Sequence, residues 1–88
     1  MCSFELGRLL ITPTAQLEVD PSDVVEAIHR HAAGDWGDLE PEDREENNLS
    51  LREGLRLLSS YEDRRGVRFW IITEADRSAT TILLPDDY

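Results

Sequence analysis

The chain has 88 residues, enough for a single small domain over 1–88 but too few to enclose a deep substrate cavity. At 40% hydrophobic and 32% charged residues it is too apolar for a disordered acidic tail. Nine basic residues, all arginine, oppose 19 acidic ones for a net charge of −10, which disfavours nucleic acid and anionic membrane as direct partners and favours a basic protein or a basic nucleic-acid-binding groove.

The opening FELGRLLIT has strand-type content and stops at Pro13, so a strand is expected over residues 4–12. Cys2 is the only cysteine, which rules out an intramolecular disulfide and a cysteine metal cluster and fits a reducing, cytoplasmic setting. Glu5 and Arg8 interrupt the apolar run at this end, so a secretory signal is not expected, and no segment reaches the ~20 apolar residues a membrane span needs.

In VDPSDVVEAIHRHAAG, Asp20 or Ser22 can cap a helix, Pro21 suits its first position, and Asp23 and Glu26 favour the positive end of its dipole. Val24, Val25, Ile28 and Ala32 then share one stripe, giving a helix over 21–33 closed near Gly34. His29 and His31 lie about 200° apart around that helix and cannot chelate one ion, so neither a metal nor any other cofactor is expected.

A second helix is expected over 41–54, started by Pro41, with Glu42 and Asp43 in its first turn and Leu51, Leu55 and Leu58 as its apolar repeat. After Gly54 the period changes. RLLSSYED, VRFWIITEAD and SATTILLP read as three strands parted by Asp63–Arg64–Arg65–Gly66 and Asp76–Arg77–Ser78, which makes a C-terminal antiparallel meander. The expected fold class is α+β: two helices packed on one face of a small antiparallel sheet of three to four strands, the first strand joining an edge. Trp70 falls on the face opposite Phe69 and Ile71, with Tyr61 and Ile82 as expected neighbours. That face is covered by the N-terminal segment, or it is a partner or homodimer surface.

Nothing surrounding Ser59, Ser60, Thr73, Ser78, Thr80 or Thr81 resembles a nucleophile elbow or a Ser-x-x-Lys pair, and the glycines form no phosphate loop, so no enzyme is expected. The conspicuous feature is acid. Seven acidic residues (Asp35, Asp38, Glu40, Glu42, Asp43, Glu45, Glu46) against Arg44 place −6 of the −10 within twelve positions. Helix-end preferences, with Asp38 or Glu40 as cap, account for part of this and leave Glu45 and Glu46 over. Residues 42–46 set four carboxylates along about 6 Å of helix axis, comparable to the one charge per about 1.7 Å of duplex DNA. The run is either a solvated helix face or a surface read by a basic partner, with Asp35, Asp38, Glu40, Glu42, Glu45 and Glu46 as contacts. Trp36, between Gly34 and Gly37, plugs the core or anchors that contact. Arg77 either completes a turn or grips a partner carboxylate, and Trp70 is the remaining candidate contact.

The strings HAAGDWGDL, LREGLRLLSSY and WIITEADRSATTILLPDDY resemble a family of small bacterial proteins carried on plasmids and integrated mobile elements, a likeness that spans residues 28–88. The resemblance brings no catalytic residues. It implies mobile-element cargo; joined to the acidic helix face, that context gives the expectation of a non-enzymatic nucleic-acid mimic of the anti-CRISPR or antirestriction type. The alternative is an accessory or regulatory interaction module of a plasmid operon, acting through its sheet face, as a homodimer in one version.

Overall fold

A computed structural model describes residues 3–88, in the order β1 (Arg8–Ile11), α1 (Pro13–Glu18), α2 (Pro21–Ala32), α3 (Pro41–Glu53), β2 (Leu57–Glu62), β3 (Arg68–Thr73), β4 (Ala79–Leu83) and a final 3-10 turn, Pro85–Asp87. β2, β3 and β4 form the antiparallel meander, and with β1 they make a four-stranded sheet of order β1-β4-β3-β2. The α+β class is as the patterning implies, but two details differ.

First, β1 pairs with β4 in parallel, Arg8 opposite Ala79 and Ile11 opposite Ile82, so the sheet is mixed and not antiparallel throughout. The chain leaves β1 through three helices, starts the meander at the far edge and returns, so that β4 arrives beside β1 running the same way. Second, Pro13 ends β1 only because it begins a helix. The Thr12 hydroxyl accepts from the Ala15 amide and Pro13 occupies the first helical position, where its missing N–H costs nothing. That six-residue helix has no apolar period long enough to be recognised in advance.

The core lies on one face of the sheet. Alternation along paired strands brings Tyr61, Phe69, Ile71 and Ile82 to this side, against Ala15 of α1, Val19 just beyond it and Ala27 of α2. Full burial of Phe69 or Ile71 is worth roughly 1.5–3 kcal/mol each. The inward face of α2 is rotated from the expected stripe: Ala27, His31 and Ala32 are buried, Val24 and Ile28 pack partly, and Val25 is exposed.

α3 does not use the predicted leucine repeat. Leu55 lies beyond the helix and is exposed, Leu58 belongs to β2, and the one buried side chain of α3 is Asn47. This helix docks through amides at the β2 edge, which explains how so polar a segment remains attached. Tyr61 and Ile82 are not neighbours of Trp70: its cross-strand partners are Ser60 and Leu83, because the register of β3 puts Trp70 opposite even-numbered β2 positions.

Candidate functional site

The acidic run begins as the cover of a sheet edge. The Asp38 amide donates to the Ser60 carbonyl at 2.7 Å and the Ser60 amide to the Trp36 carbonyl at 3.2 Å, so residues 36–38 act as a short parallel partner of β2. Gly37 makes this approach possible. It has φ +75°, and a Cβ there would lie 2.0 Å from the Ser60 carbonyl oxygen and 2.8 Å from the Tyr61 ring. Nearly two turns into α3, Asn47 continues the cover: its carboxamide oxygen accepts from the Leu58 amide at 3.1 Å and its NH2 donates to the Leu58 carbonyl. The outward backbone groups of Leu58 and Ser60, an invitation to foreign strands in an open edge, are thereby closed.

This arrangement divides the acidic residues. Asp35 holds Arg30 through Nε at 2.9 Å and accepts from the Gly37 amide, and the Arg30 guanidinium keeps its carboxyl below the usual carboxylate range. Asp38 meets Arg68 at 3.0 Å, and Arg68 also reaches Glu62 at 2.7 Å. Glu40 stands at the N-cap of α3 without a side-chain cap bond, so neither Asp38 nor Glu40 caps the helix as the sequence suggests. Glu42, Glu45 and Glu46 are exposed and, among the described residues, belong to no ion pair. At about 100° per residue they fall with Leu49 and Glu53 within roughly 100° of helix surface, facing away from Asn47. Paired acids thus serve the fold, and the stripe on α3 faces solvent.

The other candidates separate in the same way. Trp36 is buried, stacked on Phe4 with ring centres 6.1 Å apart, and its indole N–H donates to Asn48 Oδ1 at 2.9 Å; it is a core plug and the lock of α3. Arg77 adopts φ +61° in the β3–β4 turn and directs its guanidinium at the carbonyls of Leu55 and Glu74, at 2.7 and 3.1 Å, and of Ser50, closing the end of α3. Trp70 is half-buried on the sheet face the helices leave free. The C-terminus, rather than the N-terminus, crosses that face: the Tyr88 ring meets Trp70 edge-on at 5.9 Å, and Arg56 donates to the Tyr88 hydroxyl at 2.8 Å. Leu58, Trp70, Ile72, Arg56 and Tyr88 border an apolar groove of about 270 Å³ there.

Sequence reasoning missed one polar cluster altogether. His31 is fully buried, with Nδ1 2.5 Å from Ser59 Oγ and Nε2 2.8 Å from Thr73 Oγ1; Thr73 Oγ1 lies 2.8 Å from Thr80 Oγ1, which donates to the Leu6 carbonyl at 2.7 Å. One proton order satisfies every contact. Thr80 spends its proton on Leu6, so Thr73 donates to Thr80, His31 donates from Nε2 to Thr73, and Ser59 donates to Nδ1. Although serine beside histidine resembles a nucleophile with its base, both are sealed beneath Phe4 and Trp36, with no path for a substrate. The available signal was polar residues at the inward positions of three strands. Among the described residues, no three potential metal ligands cluster, and no helix is long and apolar enough to cross a membrane.

Comparison with protein-family models, curated proteins and solved structures gave no match, so the site is read from its own geometry.

Proposed function

We propose that this chain is a non-enzymatic, cytoplasmic binding protein of a mobile element, whose acidic helix occupies the basic groove of a host nucleic-acid-handling defence protein as an anti-CRISPR or antirestriction mimic does. The observation that carries this reading is the division of the acid. Asp35 and Asp38 are matched by Arg30 and Arg68, whereas Glu42, Glu45 and Glu46 form an exposed stripe, with no ion pair among the described residues although Arg52 lies at its border, on a helix held by Asn47 and Asn48. Neither capping nor docking requires those three carboxylates. The resemblance of residues 28–88 to mobile-element proteins supplies the biological setting.

The test uses a partner captured from host lysate and then purified. A Glu42→Gln, Glu45→Gln, Glu46→Gln variant should unfold within a few degrees of the wild type, since exposed charges contribute only tenths of a kcal/mol to about 1 kcal/mol each. It should bind at least 100-fold more weakly, and wild-type binding should weaken steeply between 50 and 200 mM salt. Equal binding by wild type and variant would refute the mimic. A second reading is favoured by the apolar groove beside Trp70: a regulatory module that grips its partner through this face. Such binding would survive salt and disappear in Trp70→Ala.

A further inference from the structure

We propose that β1 is a docking edge for a second copy of this chain, making a continuous eight-stranded sheet across a two-fold axis. The basis is hydrogen-bond geometry. On its inner side the Arg8 amide donates to Ser78 and the Thr12 amide to Ile82, both at 3.0 Å. Alternation along the strand then turns the N–H and C=O of Leu9 and Ile11 away from β4, and among the described residues nothing bonds them. The side chains alongside are apolar and open: Leu9, Leu10 and Ile11 are 53, 40 and 38% exposed.

The two sheet edges are treated differently. At β2 the chain devotes Trp36, Gly37, Asp38 and Asn47 to closing the edge. At β1 it leaves three consecutive apolar residues, and the ordinary safeguards there are only short length and one charge, Arg8. That charge flanks the three apolar residues and does not interrupt them.

The outward groups narrow the register. In an antiparallel pair, the residues that exchange both bonds must be those pointing outward, and the one two-fold register that uses both Leu9 and Ile11 of each copy sets Leu9 against Ile11, Ile11 against Leu9, and Leu10 against Leu10 on the axis. Four backbone bonds result. On the helix-covered face, the Leu9–Ile11 contacts lie beside a shallow apolar groove lined by Ile11, Val19, Val24 and Val25. Arg8 falls opposite Thr12, whose hydroxyl donates to Asp87 at 2.7 Å. Each Arg8, without an ion pair among the described residues of its own copy, therefore comes beside the Asp87 carboxylate of the other, twice by symmetry.

Two chains of charge −10 repel, and distance decides how much that matters. With strands ~4.8 Å apart, the two β2 strands end up roughly 34 Å from each other with the acidic helices at these far ends, several times the ~8 Å screening length at physiological salt. The union leaves the α3 stripe free and does not depend on the function proposed for it.

The experiment combines oligomeric state with register. Wild-type protein at about 100 μM should show twice the 10.1 kDa chain mass by light scattering, and so should the triple glutamine variant of α3. Leu10→Lys brings two charges together on the axis and should raise the dissociation constant at least tenfold while circular dichroism remains unchanged. In a Cys2→Ser background, Leu10→Cys should form a disulfide-linked dimer readily, because facing residues of a non-hydrogen-bonded pair have Cα atoms about 4.5 Å apart. Leu9→Cys should not, its symmetry mate lying about 8 Å away on the diagonal. A monomeric wild type overturns the proposal, as does cross-linking of Leu9→Cys as fast as Leu10→Cys.

Discussion

His31 Nε2 lies 2.8 Å from the Thr73 hydroxyl in a site with no exposure to solvent, so the imidazole is held neutral. Burial, then the charge of Arg77, lowers its pKa from 6.5 to about 4. Between these values the unfolded chain binds a proton that the folded chain refuses, so stability rises with pH across the window. The contribution is fully present above pH 6.5 and is lost as pH falls toward 4, on the order of 3 kcal/mol. The arginine-paired and backbone-bonded carboxylates of Asp23, Asp35 and Asp63 have lowered pKa values, and their share is lost below the ordinary carboxylate range. Urea unfolding at pH 7.5, 6, 5 and 4.5 should therefore show a decline already above pH 5, and His31→Gln should flatten that part of the curve.

Thr73 and Thr80 should behave as one unit, because the hydroxyl of the first donates to the second and the second donates to Leu6. Thr73→Val leaves His31 Nε2–H without an acceptor and should cost about 1–3 kcal/mol. Thr80→Val strands the Thr73 proton and the Leu6 carbonyl at similar cost. In the double variant the loss should fall short of the sum by 0.5 kcal/mol or more, as roughly expected for contacting residues. Additive losses in a denaturation cycle would mean that the proton order assigned here does not operate.

Helix α2 and the meander were legible because each carries a long, single-period pattern: Pro21 with Val24 and Ile28, and the alternation around Phe69 and Ile71. Helix α1 was not, since six residues give no period and Pro13 reads equally as a stop or a start. The parallel pairing of β1 is a consequence of where three helices return the chain, and no local signal encodes it. For the site, composition located the acid but could not sort it. Which carboxylates are matched depends on Arg30 and Arg68, and Arg68 meets Asp38 from 30 positions away. Gly37 carried no signal of its own in the GDWGD string, and only the Ser60 carbonyl explains why a glycine stands there.

Asn47 should be the most costly position on α3 to change, although it lies among exposed acids. Its carboxamide takes both bonds of Leu58, and Asn47→Ala leaves that amide and carbonyl to imperfect hydration, a loss of about 1–3 kcal/mol. Asn47→Asp keeps an acceptor for the Leu58 amide but turns a carboxylate oxygen toward its carbonyl, and should be at least as harmful at pH 7. Hydrogen exchange provides the local check: the Leu58 amide should lose protection in both variants, while Ile71, in the interior strand, should change only as global stability does.

Gly37→Ala should separate the two glycines that flank Trp36. Both have positive φ, +83° at Gly34 and +75° at Gly37, so alanine incurs a left-handed backbone penalty of about 1 kcal/mol at either. Space distinguishes them. A Cβ at Gly34 would meet its nearest atom, the Ser3 hydroxyl, at 3.7 Å, an ordinary contact; at Gly37 it would lie 2.0 Å from a backbone oxygen of β2, which cannot move without breaking the sheet. Gly34→Ala should thus lower stability by about 1 kcal/mol and leave α3 in place. Gly37→Ala should lose several times as much, expose the indole of Trp36 and release α3 from the β2 edge, seen as a red-shifted tryptophan emission and faster exchange at Leu58 and Ser60. Equal losses at the two glycines would show that residues 36–38 do not pair with β2 in solution, and the acidic stripe would then lose its rigid mount.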